Sequence, residues 1–238
     1  MAMSLTYAIA DAHGNFDLLC KAISLAEAHA GTEGGTLIIL GDFVDRGPQS
    51  ASIIDLLIAG PSLPNWRWIV LQGNHEAIML AALANPTAHL RWWIGNGGGE
   101  TLKSYGYVDG DRILPLKVPA AHLAWLHSLP VWHEDAHRIY VHAGVPFDQP
   151  VAAARRDTLQ WMLYPGDVDH GDAEFHPDEC HCSGKHIVHG HHQSELHPLL
   201  KPHRTNLDSF AWMSGRLAVG VFDDARPGGP AEILEAVR

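Results

Sequence analysis

Cysteine is scarce in this chain. Cys20, Cys180 and Cys182 cannot all pair with one another, which argues against a disulfide-stapled secreted scaffold. Basic residues are scarce as well: 16 Lys and Arg stand against 27 Asp and Glu, for a formal charge of −11. That balance argues against nucleic acid as a partner, because nucleic-acid binders carry a basic face that neutralises phosphates. No apolar run reaches the ~20 residues that span a bilayer, and no basic region with a separate apolar core opens the chain. We therefore expect a cytoplasmic protein with no membrane partner. Repeats and low-complexity tracts are also missing, and charged residues make up only 18% against 46% hydrophobic, the balance of an ordinary folded protein. Histidine is abundant, at 18 residues, which invites a search for metal ligands. Bound cations would also reconcile an acidic chain with a phosphate substrate.

The 238 residues suit one sizeable core. Strand-like runs at 5–10, 36–40 and 66–71 alternate with helical spacing at 16–29, 50–59 and 76–84, the pattern of a parallel sheet with crossover helices. The stretch from Asn85 to Leu129 reads as mostly helical, interrupted at Asn96 to Gly99. Strands return at 139–142, 187–189 and 217–222, and the His-rich 165–185 reads as a surface loop. The expectation is a single α/β domain over 1–238, with a helical insertion at about 85–129.

Five short segments each follow a predicted strand: Asp11-Ala12-His13-Gly14, Gly41-Asp42-Phe43-Val44-Asp45-Arg46-Gly47, Gly73-Asn74-His75-Glu76, His142-Ala143-Gly144 and Gly190-His191. Sites in α/β sheets form beyond the carboxyl ends of strands, so loops leaving neighbouring strands can bring all five to one rim. Carboxylate, imidazole and amide oxygen together suit borderline-hard ions such as Mn²⁺, Fe²⁺ or Zn²⁺. The set Asp11, His13, Asp42, Asn74, His142 and His191 supplies enough ligands for two of them, and one aspartate can bridge a pair ~3.5–4 Å apart.

With these residues in order, the sequence resembles the phosphoprotein phosphatase branch of the metallophosphoesterases, whose signature reads D-x-H-G, G-D-x-V-D-R-G, G-N-H-E, H-A-G and G-H-T. The first four are intact, and the fifth stands as Gly190-His191-His192. The resemblance implies a central β-sandwich flanked by helices and two divalent ions, with Mn²⁺ the first choice and Fe or Zn as alternatives. It implies Asp11 and His13 on the first ion, Asp42 bridging, and Asn74, His142 and His191 on the second. A bridging hydroxide would attack, His75 would protonate the leaving oxygen with Asp45 orienting it, and Arg46, with Asn74, would bind the phosphoryl group. The implied function is a serine/threonine (or tyrosine) protein phosphatase, and the alternative is a symmetrical diadenosine tetraphosphate hydrolase. Partners are then a phosphorylated protein or a small-molecule phosphate.

Two departures from the pattern concern arginines. Gln72 stands where the family commonly has one, and Leu163 where it has another after a Leu-Trp pair, with Arg155 or Arg156 as substitutes only if the loop folds differently. Several features also have ordinary structural readings. Asn74 reads as an N-cap, His189 as a buried strand end bonded to a carbonyl, and His192 as a neighbour of the ligands or solvent-facing. Cys180-His181-Cys182, with His176 and His186 nearby, matches zinc spacing poorly. Trp92-Trp93 reads as a pair of core anchors rather than a base-stacking platform, and the Asn96 to Gly99 run as a helix end.

Overall fold

The computed structural model describes residues 4–108, 117–164, 180–193 and 198–238. The first half alternates as expected: β1 (Leu5–Ile9), α1 (Phe16–Ala30), β2 (Gly35–Ile39), α2 (Ser50–Ala59), β3 (Trp66–Val70) and α3 (Asn74–Ala84). Then come α4 (Pro86–Trp93), a π turn over Ile94–Gly98, α5 (Gly99–Ser104), α6 (Ala120–Ser128), β4 (Trp132–Glu134), β5 (Arg138–Val141) and α7 (Arg156–Trp161). The chain closes with β6 (His186–His189), β7 (Leu199–Leu200), β8 (Arg204–Asn206), α8 (Ala211–Ser214), β9 (Arg216–Asp223) and β10 (Glu232–Val237). Of the His-rich loop read over 165–185, residues 165–179 lie outside the described residues.

The strands form two five-stranded sheets, β10-β9-β1-β2-β3 and β4-β5-β6-β8-β7. The β1–β2 and β2–β3 pairs are parallel in the first sheet, and β5–β6 and β6–β8 in the second. This is the sandwich that the resemblance implied. Helix–strand alternation alone suggested one sheet, because the second is built from strands too short to carry a period.

Side-chain alternation along β1 explains the layering. Tyr7 and Ile9 face the helices with Leu19, Ile53, Met79 and their neighbours, whereas Ala8 and Ala10 face the second sheet. Small residues here let Ile38, Leu40, Tyr140, Val188 and Phe222 close the space between the sheets. Behind the second sheet, Ile139, Val141 and Ile187 pack on Leu159 of α7 and on Tyr164. The parallel strands of both sheets thus end at a shared rim. Their pairing continues into the loops beyond, through Asp11 N–H to Gly41 O, His13 N–H to Asp42 O and Gly190 N–H to His142 O.

Candidate functional site

The five motif segments meet at this rim, and their backbones are held in unusual conformations. Among the described residues, seven non-glycine positions have positive φ, and six of them are Asp11, His13, Asp42, Asp45, Arg46 and His191. Asp and His tolerate the left-handed region better than bulky residues, yet each such position costs on the order of 1–3 kcal/mol and tends to occur at functional sites. Glycines permit the close approach: a Cβ on Gly73 would meet Asp42 Oδ1 at 2.2 Å, and one on Gly190 would meet Asp11 Oδ2 at 2.0 Å.

Glu76 ties two of the loops together. Its carboxylate accepts from the N–H groups of Asp42, Phe43, Val44 and Gly73 at 2.8–3.1 Å. Burial and the charge of Asp42 push its pKa up to about 7, against the pull of His142 and these donors. The residue that helix reasoning placed in the first turn of α3 therefore fixes the Asp42 loop. The helix begins at Asn74 itself, with Gly73 as N-cap.

Two groups of side chains could each hold a metal ion, His13–Asp42–His75 and Asp42–His142–His191, and Asp42 belongs to both. The ring orientations fit that use. His13 Nδ1 donates to Val44 O and His142 Nδ1 to Leu40 O, both at 3.0 Å, which turns each Nε2 toward the cluster. One terminal atom of the Asn74 carboxamide lies 2.8 Å from His142 Nε2, 3.2 Å from His191 Nδ1 and 3.0 Å from Asp42 Oδ2. Convergence of these acceptors is the arrangement a divalent cation satisfies, with the Asn74 oxygen turned inward. Asp11 is buried beside them, and its Oδ2 accepts from His191 N–H at 3.0 Å. Burial and then Asp208 raise the Asp11 pKa well above the usual range. Burial opposes ionisation of Asp42 too, but His142 and His75 outweigh it and hold that carboxyl well below its ordinary value. Burial holds His13 and His191 neutral, the ligand form of imidazole.

His75 stands in a second arrangement. Its Nδ1 is 2.8 Å from Asp45 Oδ2, and its Nε2 is 3.8 Å from Asp42 Oδ2 and 3.3 Å from an Arg46 guanidinium nitrogen. Burial lowers the His75 pKa, but the charges of Asp42 and Asp45 and the Asp45 hydrogen bond raise it more, for a net upward shift. Asp45 is fully buried and also accepts from Trp93 Nε1 and from Thr101 Oγ1 at 2.7 Å. Arg46 is positioned from three sides: its N–H donates to Gly97 O, its guanidinium reaches Gln193 Oε1 at 3.4 Å, and its Cζ lies 5.2 Å from the Trp212 ring centre.

The structure brings together every residue proposed from the sequence and corrects several neighbours. The glycine run is more than a helix end: Gly97 sits at φ 98° and cradles the Arg46 backbone. Trp93 is buried as an anchor, but Trp92 is 49% exposed, so the pair is split. His189 bonds the Gly190 carbonyl as read, and His192 is buried with Nε2 on Met162 O rather than solvent-facing. Arg156 donates to Gln72 Oε1 at 2.6 Å, away from the metal-binding groups, and Arg155 is exposed beside Asp157. His181 is spent on Ser183 and Gln149 and His186 bonds Thr205, so they do not converge with Cys180 and Cys182, and His176 lies outside the described residues. Sequence reasoning missed Thr101, Gln193, Trp212 and Asp208. Asp208 is buried just beyond β8, and burial pushes its pKa up to about 6. None of these lies in the five motif segments, although Thr101 falls within 93–106 and Asp208 and Trp212 within 206–217, stretches that loosely resemble bacterial members of the family.

A family model described as calcineurin-like phosphoesterase matches residues 5–211. A symmetrical bis(5'-nucleosyl)-tetraphosphatase of Methylococcus capsulatus is 27% identical over 165 residues, 68% of this chain and 51% of that one. A serine/threonine-protein phosphatase 1 of Salmonella typhimurium is 35% identical over 92 residues, 39% of this chain and 38% of that one. The chain thus spans about half the length, or less, of the curated relatives it matches. A crystal structure of a protein assigned as a diadenosine tetraphosphatase shares the fold, with TM-score 0.65, 21% identity, and coverage of 99% of this chain and 94% of the other. With the family model matched across most of its length, the chain belongs to the calcineurin-like phosphoesterase family.

Proposed function

We propose that the chain is a two-metal phosphoesterase that hydrolyses phosphomonoesters, acting on phosphoserine or phosphothreonine, or phosphotyrosine, as a protein phosphatase does. The observation that carries this reading is the His75–Asp45 pair, 2.8 Å apart at the edge of the metal-binding groups. An alkoxide leaves poorly, and a protonated imidazole held ready beside it contributes ~10²–10⁴ in rate. Asp11, His13 and Asp42 would hold one ion, with His75 of the first group kept out of the coordination by its Asp45 bond to serve as the acid, and Asp42, Asn74, His142 and His191 would hold the other. The ions, Mn²⁺ by preference, supply an activated water and charge neutralisation of the phosphoryl oxygens when bound. Arg46, over the Trp212 ring, anchored at Gly97 and beside His75 Nε2, orients the phosphoryl group. Asp45 keeps the His75 Nδ1 proton in place so that Nε2 delivers the other.

A second reading, hydrolysis of diadenosine tetraphosphate, is favoured by the names of several curated relatives and by the absence of arginine at Gln72 and Leu163. The deciding assay compares the Mn²⁺-loaded protein on a phosphoserine peptide, a phosphotyrosine peptide and diadenosine tetraphosphate. Preference for a peptide supports the first reading. Preference for the dinucleotide keeps the metal chemistry and replaces the substrate.

A further inference from the structure

Two large aromatic side chains stand out of the surface beside the metal-binding groups. Trp92 is 49% exposed and Trp161 is 39% exposed, and the two indoles stack with centroids 5.7 Å apart and planes within 19°. Trp161 in turn meets the His191 ring edge to face at 6.1 Å. The row therefore runs outward from a candidate metal ligand to solvent.

This pair is held rigidly by the site itself. On α7, the residue before Trp161 is Gln160, whose amide donates to Gly73 O at 3.0 Å and to Gln72 O at 3.2 Å, and Leu159 O accepts from Ala143 N–H. On α4, the residue after Trp92 is Trp93, bonded to both oxygens of Asp45. Each exposed indole is thus one residue away from a side chain locked onto the motif loops. Leu163, where an arginine clamp was expected, is also exposed at 46%, two residues beyond Trp161.

We propose that the Trp92–Trp161 pair is a stacking subsite for the nucleobase of a nucleotide substrate. The inference rests on the phosphoesterase reading and, within it, favours a nucleotide over a phosphopeptide as substrate. A ribose separates a base from its 5′-phosphate, so with the phosphate at the metals the base falls one unit beyond them, where Trp161 and then Trp92 stand. A phosphotyrosine ring is bonded directly to its phosphate and reaches less far. A phosphoserine has nothing planar at that reach. Indole–base stacking needs no basic residue and suits an acidic chain. Nucleoside 5′-phosphates also carry the alkoxide leaving group that His75 suits, and dinucleoside polyphosphates carry the same base.

The test compares AMP with ribose 5-phosphate, which differs only by the base. With Mn²⁺-loaded protein, the ratio of kcat/KM for AMP to that for ribose 5-phosphate should fall about tenfold in Trp92→Ala and in Trp161→Ala. Trp92→Phe should keep most of the ratio. The same ranking should hold for binding of the two compounds to Mn²⁺-loaded His75→Asn protein by calorimetry, a readout that needs no turnover. If no phosphate ester is hydrolysed at all, the proposed activity fails while calorimetry still decides the subsite. An AMP to ribose 5-phosphate preference near unity, or one that both alanine variants leave intact, overturns the subsite. So does dependence on Trp92 that appears only for a phosphopeptide with an aromatic neighbour.

Discussion

Trp93 donates its indole N–H to both carboxylate oxygens of Asp45, at 2.9 and 3.0 Å, inside a fully buried site. Thr101 Oγ1 donates to Oδ1 as well, so the carboxylate is fixed in the plane that points Oδ2 at His75. Burial raises the Asp45 pKa on balance, and the His75 bond and charge, then these donors, offset only part of the rise. Removing one donor leaves Asp45 a stronger base, so it should hold the His75 proton more tightly. In Trp93→Phe we expect the alkaline limb of the kcat–pH profile to move to higher pH, with metal content unchanged. Loss of the buried hydrogen bond should also cost about 1 kcal/mol of stability. A profile identical to wild type would show that Trp93 only packs.

His75→Asn is expected to lower kcat on an alkyl phosphate by ~10²–10⁴ while KM and bound metal stay near wild type. The substitution removes the proton donor, and Asp42 keeps His13 and His142 as neighbours at 3.9 and 3.4 Å. The loss should shrink on an aryl phosphate, whose leaving group needs less protonation. Full activity of the variant on the alkyl substrate would remove His75 from the acid role.

Asp42 belongs to both candidate metal-binding groups, so Asp42→Asn should affect both at once. Wild-type protein should take up about two equivalents of Mn²⁺ and gain thermal stability on loading, since a ligand bound only by the folded state stabilises it. The variant should lose most of both effects and its turnover, as read by metal analysis and thermal unfolding with and without chelator. Retention of two tightly bound ions would mean that Asp42 does not bridge.

The parts of this site legible in the sequence were those written in contiguous loops. Asp11, His13, Asp42, Asp45 and Arg46 follow strands long enough to recognise, and the first-half elements fell within one or two residues of their observed ends. The second sheet was less legible because β4, β7 and β8 have three, two and three residues, too short for a period of two to register. Asp208, Gln193 and Trp212 reach the rim from loops and a short helix far along the chain, where only tertiary pairing places them. The Trp92–Trp93 pair was misjudged for a geometric reason. Consecutive helix positions point about 100° apart, so one of two neighbouring indoles enters the core and the other leaves it.

Asp208 offers a test of the electrostatics in metal-free protein. Burial raises its pKa from 3.8 to about 6, with Asp42 adding to the rise and Arg46, His142 and the Phe210 N–H opposing it. A carboxyl whose pKa is higher folded than unfolded favours folding when protonated. Its contribution is complete below the unfolded value and is lost as pH rises through the folded one. Glu76, raised from 4.5 to about 7, acts in the same direction, whereas the depressed Asp42 acts oppositely and only in more acid solution. In chelator-treated wild-type protein the Asp208 and Glu76 contributions are therefore lost as pH rises from about 4 to about 7, while the depressed His13 and His191 act in the opposite direction, so the variant isolates the Asp208 share. Asp208→Asn keeps an oxygen for the Phe210 N–H but cannot ionise. Its stability relative to wild type should improve steadily across that window in thermal unfolding. A difference that does not change with pH would mean that Asp208 titrates normally and that the rim is more hydrated than its burial indicates.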